Sequence, residues 1–410
     1  MSLAELPLLI ALLGLVAYVV LGGADFGAGV WYMLLPGKRR RRLRDHSYHA
    51  MGPVWEANHV WLIFVLVVVW TAYPTAFGAI FSTLYVALFV AALGIILRGT
   101  CYAVRGVVSS AREERVLGAL FGVSSALTPF ALGAVIGGIS SGRVPSGRAG
   151  DAIDSWLNPT SVLTGALAIA TSAYLAAVWL TADAGRAGQH DVAESFRGRA
   201  VAMGAVAGAL ALGGLFVVRA DDERIYEGLS SGAGLVAVLI STAAGAATLL
   251  FVVRRRLEPA RWSAAVAVGA VVAGWALAQR PQLLPGLTVE DAAAGDSTLV
   301  ALLVSLAVGA VILVPSLVLL FGLLLRGRFD ERPEELGSLE HAAPAPRAAS
   351  GAAKEPGRLA GIAAVGCALV GVPLTLVFDS GAPLALGIVL LLGAVATGAA
   401  WLVPKVALEP

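Results

Sequence analysis

The chain has 410 residues, of which 58% are hydrophobic and only 14% are charged, and its mean hydropathy is +0.83. Soluble domains carry about 25% charged residues and cannot hide this much apolar surface in one core, so the composition argues against a soluble globular protein. The net charge of +2 gives no indication of nucleic-acid binding. The composition predicts an all-α polytopic membrane protein, in which the 48 glycines allow helices to pack closely.

Apolar segments recur along the whole chain, and a transmembrane helix needs about 20 such residues. About eleven spans are predicted in chain order, at 7–34, 53–72, 75–97, 116–139, 160–181, 200–218, 232–253, 262–278, 298–325, 359–378 and 383–403. The first span has no Lys or Arg ahead of it and is longer than a signal-peptide core, so we expect it to be retained.

A polar segment rich in Pro, Ala and Gly separates the first nine spans from the last two. Such a composition is typical of a disordered linker. We therefore predict a nine-helix membrane core at 1–326, a flexible cytoplasmic linker at 327–357 and an additional two-helix membrane module at 358–410.

The basic residues indicate the orientation, because Lys and Arg concentrate in cytoplasmic loops. With the N-terminus outside, 24 of the 29 Lys and Arg fall on the inner side, Arg98 among them. The five that fall outside are Arg143, Arg148, Arg219, Arg224 and Arg280. The asymmetry predicts an outer N-terminus and a cytoplasmic C-terminus. The basic run KRRRRLR at 38–44, which Asp45 follows, is interpreted as a topology determinant and less readily as a lipid or nucleic-acid patch.

Histidine and cysteine give little support to a cofactor site within this chain. A paired axial haem site would need two histidines deep in separate spans. The histidines are His46, His49, His59, His190 and His341, and four of them fall in polar loops or at a span entrance. The two cysteines, Cys101 and Cys367, provide no metal-ligand spacing. We predict no metal site and no haem bound wholly by this chain.

Two carboxylates lie inside predicted spans and are therefore candidates for function, because charge in hydrocarbon is costly. Asp25 lies in the glycine-rich stretch LGGADFGAGVW, and Glu56 lies about one turn into the second span. Both are expected in the cytoplasmic half of the membrane. Gly23 and Gly27 form a Gly-x-x-x-Gly pattern beside Asp25, which lets another helix approach the backbone.

Glu56 belongs to a polar group at the start of its span. His59 lies at i+3 on the same helix face, and Trp55 and Asn58 form a neighbouring stripe. These groups are able to hold water and relay protons. They are equally able to form a structural hydrogen-bond network, with Trp55 and Trp61 as interfacial anchors, and the residues alone leave both interpretations open.

Six stretches resemble, in order, subunit II of the bd-type quinol oxidases, the family that includes the cyanide-insensitive oxidases. They are GGADFGAGVW, GPVWEANHVWLIF, LGIILRGTCYAVR, LTPFALGAVIGG, WLNPTSVLTGALA and WALAQRPQLLPGLTVEDAA, within residues 1 to about 326. The resemblance implies a bacterial cell-membrane complex that oxidises quinol and reduces dioxygen to water with cytoplasmic protons. In that family subunit I binds the haems, of types b and d, and the quinol. Subunit II packs beside it and contributes to a proton path.

The resemblance also implies roles for particular residues. Glu56 matches an Asp or Glu implicated in the proton path, and Asp25 matches the first-helix aspartate of the glycine-rich motif. The proton-pathway candidates are Glu56, Asp25, Asn58 and His59, and the structural motif residues are Trp55, Trp61, Gly23, Gly27 and Arg98. No catalytic residue is expected in this chain alone.

The chain departs from the family in its length, because the family usually stops at eight or nine spans. The last two helices are additional, and a small accessory subunit is one partner that they could dock, besides subunit I, quinol and membrane lipid. The alternative function is a proton-coupled secondary transporter that uses Asp25 and Glu56. Transporters tend to show broken helices and inverted repeats, whereas here both carboxylates lie towards one face and no convincing repeat is evident. The choice between menaquinone and ubiquinone stays open.

Overall fold

The computed structural model describes residues 2–35, 41–49, 55–104, 111–325, 357–377 and 381–406. Nearly all of this part of the chain is helical. The helices are α1 Glu5–Leu34, α2 Arg41–His49, α3 Trp55–Ala72, α4 Pro74–Thr83, α5 Tyr85–Val104, α6 Ala111–Ser140, α7 Pro159–Arg186, α8 His190–Asp221, α9 Glu223–Ser230, α10 Gly232–Val253, α11 Leu257–Gln279, α12 Val289–Ala292, α13 Asp296–Leu325, α14 Gly357–Val377 and α15 Gly381–Val406. The strands β1 Gln282–Leu284 and β2 Leu287–Thr288 pair antiparallel between α11 and α12.

The all-α polytopic architecture is confirmed. Eight helices in the described part of the chain are long and apolar enough to cross a membrane, and three shorter apolar helices lie at Asn58–Ala72, Ala363–Val372 and Gly381–Ala394. Several helices extend beyond the predicted spans. The clearest case is α8, which begins at His190 because its first turns carry polar residues that continue the helix outside the apolar segment.

The third predicted span, 75–97, is wrong as a single helix. It consists of α4 and α5, which are interrupted at Leu84, where φ is −98° and ψ is 20°. At the interruption the Thr83 hydroxyl accepts a hydrogen bond from the backbone N–H of Gly150 at 2.9 Å. The break therefore coincides with a bond to the loop that follows α6, a contact between segments distant in sequence.

Helix α7 lies at the centre of the larger compact unit, residues 1–314. In an apolar 18-residue segment of α7, 56% of the residues are buried, whereas in the corresponding segment of α8 only 11% are buried. Helix α7 packs against α1, α6 and α8. Its start is fixed by Asn158, whose side chain accepts the Ser161 N–H at 2.9 Å, followed by Pro159 at the first helical position. Small residues let α1 approach it, and the Trp31 indole N–H donates to the Ala173 carbonyl at 2.8 Å.

The end of this unit opposite the basic loops is held together by polar contacts between segments distant in sequence. Arg143 donates two hydrogen bonds to the Asp221 carboxylate, at 2.6 and 2.9 Å, and Thr160 donates a third at 2.5 Å. The Trp275 indole N–H donates to the Ser140 hydroxyl at 2.7 Å. These bonds tie the loop after α6 to the ends of the neighbouring spans.

A second compact unit comprises residues 315–410, and its boundary with the first falls within α13. Inside this unit α14 and α15 pack against each other. A Cβ atom placed on Gly371 of α14 would lie 3.1 Å from the Gly387 carbonyl oxygen, so the two backbones approach closely there. The predicted linker lies almost wholly outside the described residues, and the three-region division of the chain stays a prediction.

Candidate functional site

A fully buried ion pair lies in the interior of the larger unit. The Nη2 amino group of Arg98 donates to the Asp25 carboxylate at 2.6 Å and to the Asp25 backbone carbonyl at 2.8 Å, and both side chains are 0% exposed. The prediction that Arg98 lies in a cytoplasmic loop is wrong. Arg98 belongs to α5, and its side chain points into the helix bundle. Its only carboxylate partner among the described residues is Asp25 on α1.

Arg98 also has neighbours on α6 and on its own helix. It hydrogen-bonds the Ser125 hydroxyl, and it donates to the Tyr102 hydroxyl at 3.2 Å. Its guanidinium carbon lies 4.5 Å from the ring centroid of Phe121 and 5.2 Å from that of Phe26. Aromatic faces stabilise a desolvated cation. The pair thus joins α1, α5 and α6 around a strongly polar centre. We call this centre the Arg98 cluster, and its members are Asp25, Arg98, Tyr102, Ser125, Phe26, Phe121 and, packed against Phe26, Tyr18.

The helix that carries Asp25 is irregular just before it. Residues Tyr18–Gly22 form a π-helical turn, a feature that is often found at functional sites. The Asn58 side-chain amide donates to the Leu21 carbonyl in this turn at 3.3 Å, and Asn58 is itself 4% exposed. The first turns of α3 therefore contact α1 about one turn from Asp25.

His59 lies beside the same turn. Its ring centroid is 6.2 Å from that of Tyr18 and 5.8 Å from that of Phe26. Phe26 in turn packs against the Arg98 guanidinium. Two of the predicted pathway residues, Asn58 and His59, are thus brought to the segment of α1 that holds a third, Asp25.

The Arg98 cluster contains polar atoms for which the structure gives no hydrogen-bond partner. They are the second carboxylate oxygen of Asp25, the Nε atom of Arg98 and the hydroxyl oxygen of Tyr18. Leaving such a group buried and unpaired costs about 1–3 kcal/mol, and more if it is charged. Bound water is the usual partner of such groups in protein interiors.

The glycines beside Asp25 allow this packing. A Cβ atom on Gly27 would lie 1.9 Å from the Ser172 carbonyl oxygen of α7, and one on Gly29 would lie 2.0 Å from the Ser125 hydroxyl oxygen. Gly23, the other member of the predicted pattern, would meet only ordinary contacts, with Leu175 at 3.4 Å. The closest approaches of α1 therefore occur at Gly27 and Gly29.

Two of the predicted residues lie outside what the structure describes. Trp55 and Glu56 begin α3, but their side chains are not among the described ones. Trp61 is half-buried and its ring packs edge-on against Phe64, with 6.3 Å between centroids. The role of Glu56 therefore stays a prediction.

Tyr18, Tyr102 and Ser125 belong to the site but are not among the residues predicted from the sequence. The available signal was the arginine itself, because Arg98 ends an apolar run and a cation there needs partners. The partners of Arg98 on other helices are distant in sequence, however, so the apolar segment that contains the arginine gives no information about which residues they are.

In the described part of the chain, no group of three His, Cys, Asp or Glu side chains is placed to hold a metal ion. A haem ligand needs a free imidazole nitrogen directed into a cavity. The His46 Nε2 atom lies 3.2 Å from the Leu180 carbonyl oxygen, and His190 is exposed at the start of α8. The Nε2 atom of His46 thus already lies against a backbone carbonyl, and the absence of a haem held wholly by this chain stays a prediction.

Comparison with known proteins agrees with the resemblance noted in the sequence. The family model of cytochrome bd terminal oxidase subunit II matches residues 3–324. Cytochrome bd ubiquinol oxidase subunit 2 of Bacillus subtilis (strain 168) is 28% identical over 133 residues, which cover 32% of this chain and 38% of that protein. A second protein of that organism, named provisionally as a cytochrome bd menaquinol oxidase subunit II, is 22% identical over 78% of this chain and 94% of its own.

The fold has a counterpart of known structure. A chain of the bd oxidase from Geobacillus thermodenitrificans superposes with a TM-score of 0.65 and 25% identity, over 79% of this chain and 99% of that one. The remaining fifth of this chain has no equivalent in that match, and the family model likewise ends at residue 324. The chain is an integral membrane protein that belongs to the family of subunit II of the cytochrome bd terminal oxidases, which are oxidoreductase complexes.

Proposed function

We propose that this chain is the subunit of a quinol:oxygen oxidoreductase that carries no haem of its own and supports the haem-bearing subunit I. The family match over residues 3–324 is the observation that carries this proposal. The relatives named above are subunits of quinol oxidases, one of ubiquinol and one provisionally of menaquinol. The haems, of types b and d, and the quinol then belong to the partner subunit.

The finer proposal is that the chain contributes the cytoplasmic entrance for protons used in the reduction of O2 to water. Glu56, in the first turn of α3, is the proposed entry group, followed by Asn58 and His59 and then by Asp25. The contact of Asn58 with Leu21 and the packing of His59 against Tyr18 and Phe26 support the part of this path that leads from α3 to the Asp25 segment of α1. Water bound to the unpaired polar atoms of the Arg98 cluster would extend the path.

The proposed path requires that the basic end of the bundle faces the cytoplasm. The excess of Lys and Arg at this end supports an outer N-terminus and an inner C-terminus. The entrance and the buried pair then lie in the inner half of the membrane. We also propose that the last two helices are an accessory module, with a small additional subunit as a candidate partner.

The test is Glu56→Gln in the purified complex, which removes the titratable proton but keeps the size of the side chain. We expect quinol oxidase turnover and proton uptake to fall by roughly 100-fold or more, the lower limit of the usual effect of losing a positioned proton-transfer group, with normal haem content. The control is Glu114→Gln, an exposed carboxylate in the first turn of α6, which should retain full turnover.

Each other outcome removes a specific part of the proposal. Loss of haem in Glu56→Gln would make the residue structural, and normal turnover with intact haems would exclude it from the path. If the wild-type chain instead purified without a haem-bearing partner and moved a solute into vesicles, the oxidase function itself would be wrong and the transporter alternative would replace it.

A further inference from the structure

The turn between α10 and α11 consists of three consecutive exposed arginines, Arg254, Arg255 and Arg256. The Arg256 N–H donates to the Phe251 carbonyl at 2.8 Å and the Arg255 N–H donates to the Val252 carbonyl at 3.2 Å. This is the Schellman arrangement, which places one residue in the left-handed conformation. That residue is Arg255, with φ of 58°, at a position that favours glycine.

The end of α7 provides an internal comparison. It has the same two bonds, from Gln189 N–H to the Ala184 carbonyl and from Gly188 N–H to the Gly185 carbonyl, and its left-handed residue is Gly188 with φ of 67°. The same motif in the same chain thus uses glycine once and arginine once. Arg255 is the only non-glycine residue with positive φ in the described part of the chain, so an arginine occupies a backbone position that glycine would adopt more easily.

Two of the three arginines of the turn are not balanced by carboxylates. Glu194 accepts the Arg197 Nε–H at 2.9 Å, and it also forms an ion pair with Arg255 at 3.4 Å, although the Arg255 side chain is 73% exposed. Arg254 and Arg256 form no ion pair with any residue that the structure describes, and both are exposed. The turn therefore presents concentrated positive charge to its surroundings.

An exposed apolar surface adjoins this charge. Val253, just before the turn, is 55% exposed, and Trp262 and Val266 in the first turns of α11 are 74% and 51% exposed. Trp262 and Val266 are four residues apart and share one face of the helix. Tryptophan prefers the depth of lipid headgroups, so the turn combines a charged rim with an apolar face below it.

We propose that Arg254, Arg255 and Arg256 bind the headgroup phosphate of an anionic phospholipid, with its acyl chains along Trp262 and Val266. One guanidinium group can donate two parallel hydrogen bonds to two phosphate oxygens, and this makes arginine better suited to the site than lysine. The turn is at the basic end of the bundle, and the cytoplasmic leaflet is the one that carries anionic lipid. A phospholipid, with its charged phosphate and apolar chains, matches both the arginine turn and the adjoining apolar face, whereas a soluble anion matches only the turn.

The experiment uses the purified complex in nanodiscs of phosphatidylcholine and phosphatidylglycerol, and native mass spectrometry counts the lipids retained. Arg254→Gln with Arg256→Gln should lower retained phosphatidylglycerol by roughly 30-fold, from the usual effect of two arginines at an anionic surface. Phosphatidylcholine should be unchanged. The matched control is Arg148→Gln, which removes an exposed arginine in the loop after α6, at the opposite end of the bundle.

Arg255→Gly separates lipid binding from folding, because glycine is the residue that this backbone favours. It should lower phosphatidylglycerol retention about fivefold while the melting temperature stays equal or rises. Equal phosphatidylglycerol retention in wild type and in both sets of variants would overturn the proposal. So would an equal loss of both lipids, and so would cross-linking that places another protein chain on this turn in the wild-type complex.

Discussion

Replacing Arg98 by Met tests whether the buried ion pair holds α1, α5 and α6 together. Methionine keeps much of the side-chain volume but removes every hydrogen bond to Asp25 and Ser125. The Asp25 carboxyl group would then lose its positively charged partner while its side chain stays at 0% exposure. Removing one partner of a buried pair costs about 3–5 kcal/mol, so we expect a loss of that size in the free energy of unfolding.

The matched double variant, Asp25→Asn with Arg98→Met, distinguishes charge from packing. It removes both charges, so no uncompensated ion remains, and it should recover about 2 kcal/mol relative to Arg98→Met alone. Unfolding of the purified complex in mixed detergent and dodecyl sulfate, followed by tryptophan fluorescence, gives the four free energies of the cycle. The control is Arg148→Met, which should change the free energy by less than about 0.5 kcal/mol. A double variant as unstable as the sum of its single changes would refute the reasoning.

Two other predictions concern packing and the end of the chain. Gly27→Ala would place a Cβ atom 1.9 Å from the Ser172 carbonyl oxygen and should lower the free energy of unfolding by about 3 kcal/mol or more. The control is Gly78→Ala, whose Cβ atom would meet nothing within 4 Å and which should be nearly neutral. Comparable losses in both variants would contradict the close approach of α1 and α7. Truncation after Arg326 should leave haem content and quinol oxidase turnover intact if the last two helices are an accessory module, as the end of the family match at residue 324 suggests; loss of assembly would disprove this.

The helices themselves could be predicted from the sequence, because a bilayer imposes a minimum length of apolar residues that is visible without any structure. The predicted span 232–253 agrees with α10 at both ends. The break at Leu84 could not be predicted, since no proline or glycine marks it and its partner, Gly150, belongs to a distant loop.

The site was predictable only in part, and for a physical reason. Asp25 was singled out because a carboxylate inside an apolar segment is costly wherever it points. Arg98 lies near the end of its apolar run, where a long side chain can either reach water or turn inward. Sequence position does not distinguish these two directions.

The sequence by itself determined that this chain spans a membrane, which of its segments are apolar, and where its unusual charges lie. Only the tertiary structure decided that Arg98 turns towards Asp25, 73 residues earlier, and that Asn58 reaches the π-helical turn before it. Those pairings depend on how closely α1 approaches its neighbours at Gly27 and Gly29. Local propensity and hydropathy describe each helix alone, whereas a buried charge is stabilised by groups from several helices at once.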